Sequence, residues 1–401
     1  MDHKDQVKIR ALHQQITEMG PDTSSLPLPR RFGLTPLRLM NEAIMGVSLD
    51  FFKDHARRES STSEMLSEFL DNRDLKIFMK ERGMSYSDMR MMHIRARHQY
   101  TNAPIFTVAP GLKSMLEDTR VKDNIPAKFF APPFKTSYLE FEPAEDRRVL
   151  AMSNPEKKDL VEGCYLQERV LDRLPETTRA EREFLHLDPK APVRVIDVAF
   201  TYSGINSSFT KIHNAMPVIA DKMDYIQLFI QQETEPVAEL LDRAIRHSIG
   251  RSNGSDNNGL SDMTASNKFQ EVMRENFSKL SKVLFYMHVD RKSQVSQTPA
   301  KDLEDRIRAV GDKKKPKLER MLTRTYDRIV VGPMTYIPIA QRMAVEGGIK
   351  GQKAPHYRSG YFGIRWKGNG QAKTPELVRV SEAKINEHLL TDRPDREYEI
   401  K

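Results

Sequence analysis

The chain has 401 residues, of which 38% are apolar and 30% are charged. No run approaches the ~20 consecutive apolar residues that cross a bilayer, which excludes a helical membrane protein and predicts no membrane partner. Lysine and arginine exceed aspartate and glutamate by 64 to 56, and this basic balance is compatible with a nucleic-acid or ribosomal partner.

Residues 1–120 are predicted to form a helical N-terminal region. Apolar side chains recur at helical spacing over 37–47, and Ser85-Tyr-Ser-Asp88 has the form of an acidic capping box that starts a further helix. That helix, over 85–99, carries the basic or titratable side chains Arg90, Arg95, Arg97 and His98. Such a charged helix would suit a DNA groove, so a DNA-binding transcriptional regulator is one hypothesis.

The composition changes after about residue 125, where β-branched and aromatic residues occur in short runs. Strands are predicted at SYLEFE, VRVIDVAFTYSG and DYIQLFIQQ, which begin at Ser137, Val193 and Asp224. Helices with an apolar stripe are predicted over 235–249 and 269–287. Because strands and helices do not alternate regularly, we predict an α+β fold in which 125–340 form a mixed, mainly antiparallel sheet with packed helices.

Two polar segments interrupt this core. The run 251–267 is rich in Ser, Asn, Asp and Gly, and it is predicted to be a mobile loop because it has too few apolar residues to pack. The insert 306–328 is strongly basic and includes Lys313, Lys314 and Lys315. Two interpretations of this insert stay open, namely a solvated linker and a mobile segment that binds phosphate.

The main functional signal lies in a basic, glycine-rich tail over 342–390, which is predicted to be of β type. Between Arg342 and Arg379 there are eight basic residues, two glutamates and the chain's only tryptophan, Trp366. Lys367-Gly-Asn-Gly370 has the composition of a hairpin turn. Aromatic rings between cations can stack on bases while the cations hold phosphates. The alternative is that Trp366 packs the hairpin onto the core, since an indole buries well.

A longer motif runs through the same tail. Residues 355–373 have the layout P-H-x-R-x-G, five residues, then W-x-G-x-G-Q-A-K. This layout resembles the C-terminal signature of a family of phage and plasmid proteins that includes a type V-A anti-CRISPR protein. Weaker similarity to that family extends over about 125–390.

The resemblance implies an activity but not its target. It implies a non-enzymatic binding protein, encoded by a phage or plasmid, that lowers production of a nuclease by engaging its nascent N-terminal peptide and promoting loss of the translated mRNA. The expected partner is RNA or a ribosome-associated nascent chain in the cytoplasm of a bacterial host, and no cofactor is expected. The N-terminal region and the basic insert are longer than in the family pattern, so a different target is expected to be encoded there.

Motifs for other chemistry are missing from the sequence. It has no G-x-x-x-x-G-K-[ST] loop and no H-E-x-x-H, and its single cysteine, Cys164, excludes a disulfide framework and a thiolate zinc site. We therefore predict no metal and no catalytic residue. The remaining enzymatic hypothesis is a metal-independent ribonuclease in which His356 is the acid and base beside Arg358 and Lys373.

The candidate binding residues share a positive charge, an aromatic ring or a hydrogen-bonding tip. They are His356, Arg358, Arg365, Trp366, Lys367, Gln371, Lys373 and Arg379 in the tail, with Lys313, Lys314 and Lys315 in the insert. The three hypotheses differ on labelled RNA. A binding protein retards intact RNA, a ribonuclease shortens it, and a transcriptional regulator prefers duplex DNA.

Overall fold

The computed structural model describes residues 26–33, 54–58, 86–141, 160–172, 179–203, 210–213, 216–219, 222–253, 261–322, 325–336, 356–368 and 373–385, and a few single residues besides. The helix predicted over 37–47, the tail before residue 356 and Gln371 lie outside these ranges.

The described residues form eight α-helices and fourteen β-strands. The α-helices are α1 (Leu28–Gly33), α2 (Tyr86–Tyr100), α3 (Pro110–Glu117), α4 (Arg179–Leu185), α5 (Val237–Asn253), α6 (Ser261–Val289), α7 (Pro299–Ala309) and α8 (Lys315–Leu322). The strands up to residue 230 are β1 (Ile105–Val108), β2 (Arg120–Val121), β3 (Thr136–Glu140), β4 (Leu160–Leu171), β5 (Val193–Ser203), β6 (Thr210–His213), β7 (Met216–Ile219) and β8 (Lys222–Ile230). The later strands are β9 (Gln294–Gln297), β10 (Arg328–Val331), β11 (His356–Arg358), β12 (Tyr361–Lys367), β13 (Thr374–Val380) and β14 (Ala383–Ile385).

A seven-stranded sheet with the order β8-β5-β4-β3-β1-β10-β9 forms the centre of the molecule. The strand β1 runs parallel to β3 and β10, and the other neighbours are antiparallel. The predicted α+β class with a mixed, mainly antiparallel sheet is therefore confirmed. Both β1 and β2 precede residue 125, so strands of the sheets begin inside the segment predicted to be helical.

Successive side chains of each strand point to opposite faces of the sheet, and one of these faces is apolar. Ile196, Val198 and Phe200 of β5 are fully buried, and Phe200 meets Phe277 of α6 edge to face at 5.1 Å. The helix α5 packs on the same side, as its apolar stripe predicts. Cys164 of β4 belongs to this layer, where burial raises the pKa of its thiol well above the usual value.

The opposite face of the sheet is also buried, and it combines a smaller apolar cluster with polar side chains. Asp197 of β5 forms an ion pair with Arg169 of β4 at 3.2 Å, and Tyr138 of β3 shares a hydrogen bond of 2.8 Å with Thr201. The helix α2 covers this face and contacts β3, β4 and β8. Polar side chains at alternate strand positions therefore face a second internal layer instead of solvent.

Burial of α2 corrects the DNA-docking hypothesis for this helix. Arg95, Arg97 and His98 are 9%, 5% and 5% exposed, and the His98 ring packs edge to face on Tyr138 and Tyr165. A helix whose basic side chains are buried cannot present them to a DNA groove. The hypothesis failed because the sequence alone does not show that the sheet face beneath α2 carries polar side chains.

The two polar segments contain helix where loop was predicted. The helix α5 continues to Asn253 and α6 begins at Ser261, so the run 251–267 is helical at both ends, and 254–260 lie outside the described residues. The insert contains α8, which packs on α7 through the buried side chains of Leu303 and Leu318.

Candidate nucleic-acid interface

The tail forms a β-hairpin of β12 and β13, paired in register from Tyr361–Val380 to Lys367–Thr374. Gly368 follows the first strand and has a φ of 114°, a conformation that L side chains rarely adopt. This glycine belongs to the predicted Lys367-Gly-Asn-Gly370 turn, which agrees with the prediction. A strand was also predicted after the turn, and β13 occupies it.

The inner face of the hairpin is fixed to α6. Phe362 is fully buried and its ring lies 5.9 Å from that of Phe285, and Leu377 is buried opposite Ile364. Arg379 lies opposite Phe362 and is half-buried. Burial raises the pKa of the nearby Tyr286 phenol, which the Arg379 charge partly offsets. Arg379 is thus placed where the hairpin packs on α6.

The distal end of the hairpin extends beyond the core. Trp366 shares the face of Phe362 and Ile364 by strand alternation, but its side chain is 60% exposed and lies opposite Pro375. The packing alternative for Trp366 is therefore wrong. An exposed indole at the end of a rigid hairpin leaves a large aromatic surface available to a partner.

Three cations surround the same end of the hairpin. Arg365, Lys367 and Lys373 are exposed, and none forms an ion pair with another residue of the described part of the chain. Alternation places Arg365 and Lys367 on the opposite face of β12 from Trp366. The hairpin end thus has an aromatic side and a cationic side. Arg194 differs from these cations, because its guanidinium forms ion pairs with Glu168 and Glu233.

The first half of the motif lies on a separate two-stranded ribbon. His356 pairs with Ile385 and Arg358 pairs with Ala383, so β11 is joined to β14 and the hairpin follows directly after Gly360. A Cβ atom at Gly360 would lie 3.3 Å from the backbone nitrogen of Glu382 and 3.3 Å from the carbonyl oxygen of Val380. This glycine therefore lets the chain pass closely between the two ribbons.

Lys313, Lys314 and Lys315 lie at the turn between α7 and α8 and at the first residue of α8. Lys313 and Lys314 are exposed, whereas the Lys315 ammonium is 2.9 Å from the Asp312 carboxylate. The tail hairpin contacts β2 and α6. The insert lysines and the tail cations therefore lie on different elements of the structure.

Sequence reasoning missed two cations that the fold brings to the hairpin. The short strand β2 runs parallel to β12, with Arg120 beside Tyr361 and Val121 beside Phe362. Lys122 follows, and its ammonium lies 4.5 Å from the centre of the Tyr361 ring. The alternation Arg-Val-Lys was the available signal, but two residues are too few to predict a strand.

Comparison with known protein families finds a match. The profile of the AcrVA2-like family, described as the anti-CRISPR type V subtype A2 family, matches residues 106–377, which is more than half of the chain. The chain belongs to this family. A comparison with curated protein sequences finds no match.

The match to the AcrVA2-like family begins in β1 and ends in β13, so it includes the central sheet, the insert and most of the hairpin. The resemblance predicted from the tail motif is confirmed, and an anti-CRISPR family implies a nuclease partner. Within the described residues, no cluster of three or more His, Cys, Asp or Glu could hold a metal ion. In the same part of the chain, every helix is too short or too polar to cross a membrane.

Proposed function

We propose that this AcrVA2-like protein is a non-enzymatic RNA-binding protein, which acts on nuclease production during translation in the bacterial cytoplasm. One observation supports the RNA partner, namely the exposed Trp366 at the hairpin end with the unpaired cations Arg365, Lys367 and Lys373 beside it. The hairpin end coincides with the family motif. RNA bound there would be part of a translating complex from which the nascent chain emerges.

The two sides of the hairpin would contribute to RNA binding in different ways, one by stacking and the other by charge. A base that stacks on the Trp366 indole gains ~1–3 kcal/mol, and this gain depends little on sequence. Each cation that meets a phosphate releases a counterion and adds to the salt dependence of binding. Because Trp366 and Arg365 project from opposite faces, we expect the RNA to bend around the hairpin end.

Fluorescence anisotropy of labelled single-stranded RNA tests this function on the full chain. We expect Trp366→Ala to weaken binding by about tenfold or more, from the lost stacking, with an unchanged melting temperature because the side chain is exposed. Phe184→Ala is the matched control, since Phe184 is an exposed aromatic side chain on α4. Wild-type RNA affinity of Trp366→Ala would refute the proposed contact, and shortened RNA that needs His356 would instead establish the ribonuclease hypothesis.

A further inference from the structure

A groove of about 760 Å³ opens beside the hairpin, where β2 runs along β12. Its walls include Arg120, Lys122, Asp123, Asn124, Ser359 and Tyr361. The backbone N–H of Arg120 donates to the Gly360 carbonyl at 2.9 Å, and that of Lys122 donates to the Phe362 carbonyl at 3.1 Å. These two bonds fix the backbone of both cationic residues to β12.

Alternation along the strands places the charges of this groove on one side. Arg120 lies beside Tyr361 in the parallel register, so the two share the outer face of the three-stranded sheet, and Lys122 returns to that face two residues later. Arg365 and Lys367 of β12 have the same parity as Tyr361. The outer face therefore carries four cations along a single line.

The ammonium of Lys122 is held in position over an aromatic ring. It lies 4.5 Å from the centre of the Tyr361 ring, within the range of a cation–π interaction. Gly363 provides the space, because a Cβ atom there would lie 3.2 Å from both Lys122 Cδ and Tyr361 Cε2. A lysine that is already ordered loses less conformational entropy when it binds an anion.

The charges on this face are available to a ligand. Arg120, Lys122, Arg365 and Lys367 are exposed, and none is in an ion pair with another described residue. The carboxylates nearby include Asp123 in the groove, Glu376 opposite Arg365 in the strand register, and Glu382 beside Gly360, which accepts a hydrogen bond from the Tyr336 hydroxyl. Positive charge therefore exceeds negative charge along the line.

We infer that the outer face of β2 and β12 is the phosphate-binding path of a single RNA strand, which starts in the Arg120–Lys122 groove and ends at Trp366. This inference rests on the proposed RNA-binding function and adds a site outside the tail. The distance along β12 from Tyr361 to Lys367 is about 20 Å, the length of about six stacked nucleotides. A single line of cations fits one phosphate backbone, whereas a duplex presents two.

Lys122→Met tests the path, because methionine keeps an unbranched stem over Tyr361 and Gly363 while it removes the charge. We expect the plot of log affinity against log salt for a labelled oligouridine to become shallower by about 0.7, the value for one lost contact with a single strand. Lys128→Met is the matched control, since Lys128 also lies over an aromatic ring, that of Phe129 at 5.0 Å, but outside the groove. Its salt slope should equal that of the wild type.

The outcomes separate the path from the proposed function. If Trp366→Ala weakens RNA binding and Lys122→Met leaves the salt slope unchanged, the path is wrong and the proposed function stands. If the wild-type protein does not bind RNA, the proposed function fails and the path fails with it. An acidic peptide that displaces the RNA from the wild type but not from Lys122→Met would assign the groove to a protein partner and overturn the inference.

Discussion

Asp197 is a buried carboxylate with several polar partners. Its side chain is 1% exposed and pairs with Arg169, which is 8% exposed, while the Tyr225 hydroxyl and the Gln227 amide both donate to it. Burying two charges is costly unless they meet and their remaining hydrogen bonds are satisfied. The arrangement explains how β5 carries a charged residue between the apolar positions Ile196 and Val198.

Asp197→Ala should therefore be strongly destabilising, because it leaves the Arg169 charge buried without its carboxylate. We expect a loss of about 3–5 kcal/mol in the free energy of unfolding, measured by urea titration. Asp305→Ala is the control, because it breaks an exposed ion pair with Arg308 and should cost less than about 1 kcal/mol. Equal losses for the two variants would show that the buried pair does not hold the polar layer together.

The helix α2 is the element that makes this polar layer internal. It places His93, which is fully buried, and His98, which is 5% exposed, against the sheet. Burial, together with the charges of Arg97 and Arg169, lowers the pKa of His93 to about 3. Burial also lowers the pKa of His98 to about 4. Both imidazoles are neutral in the folded protein at neutral pH.

The position of α2 predicts acid sensitivity with a defined sign. Since the unfolded chain binds protons below pH ~6.5 and the folded chain does not until about pH 4 for His98, stability is complete above ~6.5 and falls as the pH decreases. Each histidine contributes a slope of about 1.4 kcal/mol per pH unit in that window. Urea titrations across this range should show His98→Gln with the shallower loss, and the exposed His186→Gln with the wild-type loss.

Periodicity in the sequence predicted the elements that pack by one repeating face. The run of β-branched residues in β5 and the apolar stripe of α6 located these elements, and each buries one side against the same core. The basic helix α8 was not predicted, since Leu303 and Leu318 are too few to stand out among lysines and arginines. The strand β2 was not predicted because its partner lies in β12, far along the chain.

The hairpin that carries the candidate site was predicted from the sequence, and its placement on the core was not. The composition of Lys367-Gly-Asn-Gly370 predicted a β-hairpin, and β12 and β13 form one. The opposite projection of Trp366 and its two neighbours was not predicted, and it follows from the alternation of side chains along β12. Where the core ends along β12 depends on α6, so the sequence alone left the exposure of Trp366 open.

At the scale of the molecule, positive charge is presented on two separate elements. The net charge is +8, and exposed cations occur both on the hairpin and at the turn before α8. The matched family region, 106–377, includes both elements. An RNA longer than the hairpin would be able to meet the insert lysines as well, and a short oligonucleotide bound at the hairpin would not.

Reversal of Lys313, Lys314 and Lys315 to glutamate tests whether both elements bind one RNA. For a long single-stranded RNA we expect a salt slope shallower by about 2, from three lost phosphate contacts, and for a hairpin-length oligonucleotide we expect no change. The melting temperature should change little, since Lys313 and Lys314 are exposed and the Lys315–Asp312 pair lies at the surface. An unchanged slope with the long RNA would assign the insert to a solvated, non-binding role, and would leave the hairpin as the interface that the described structure supports.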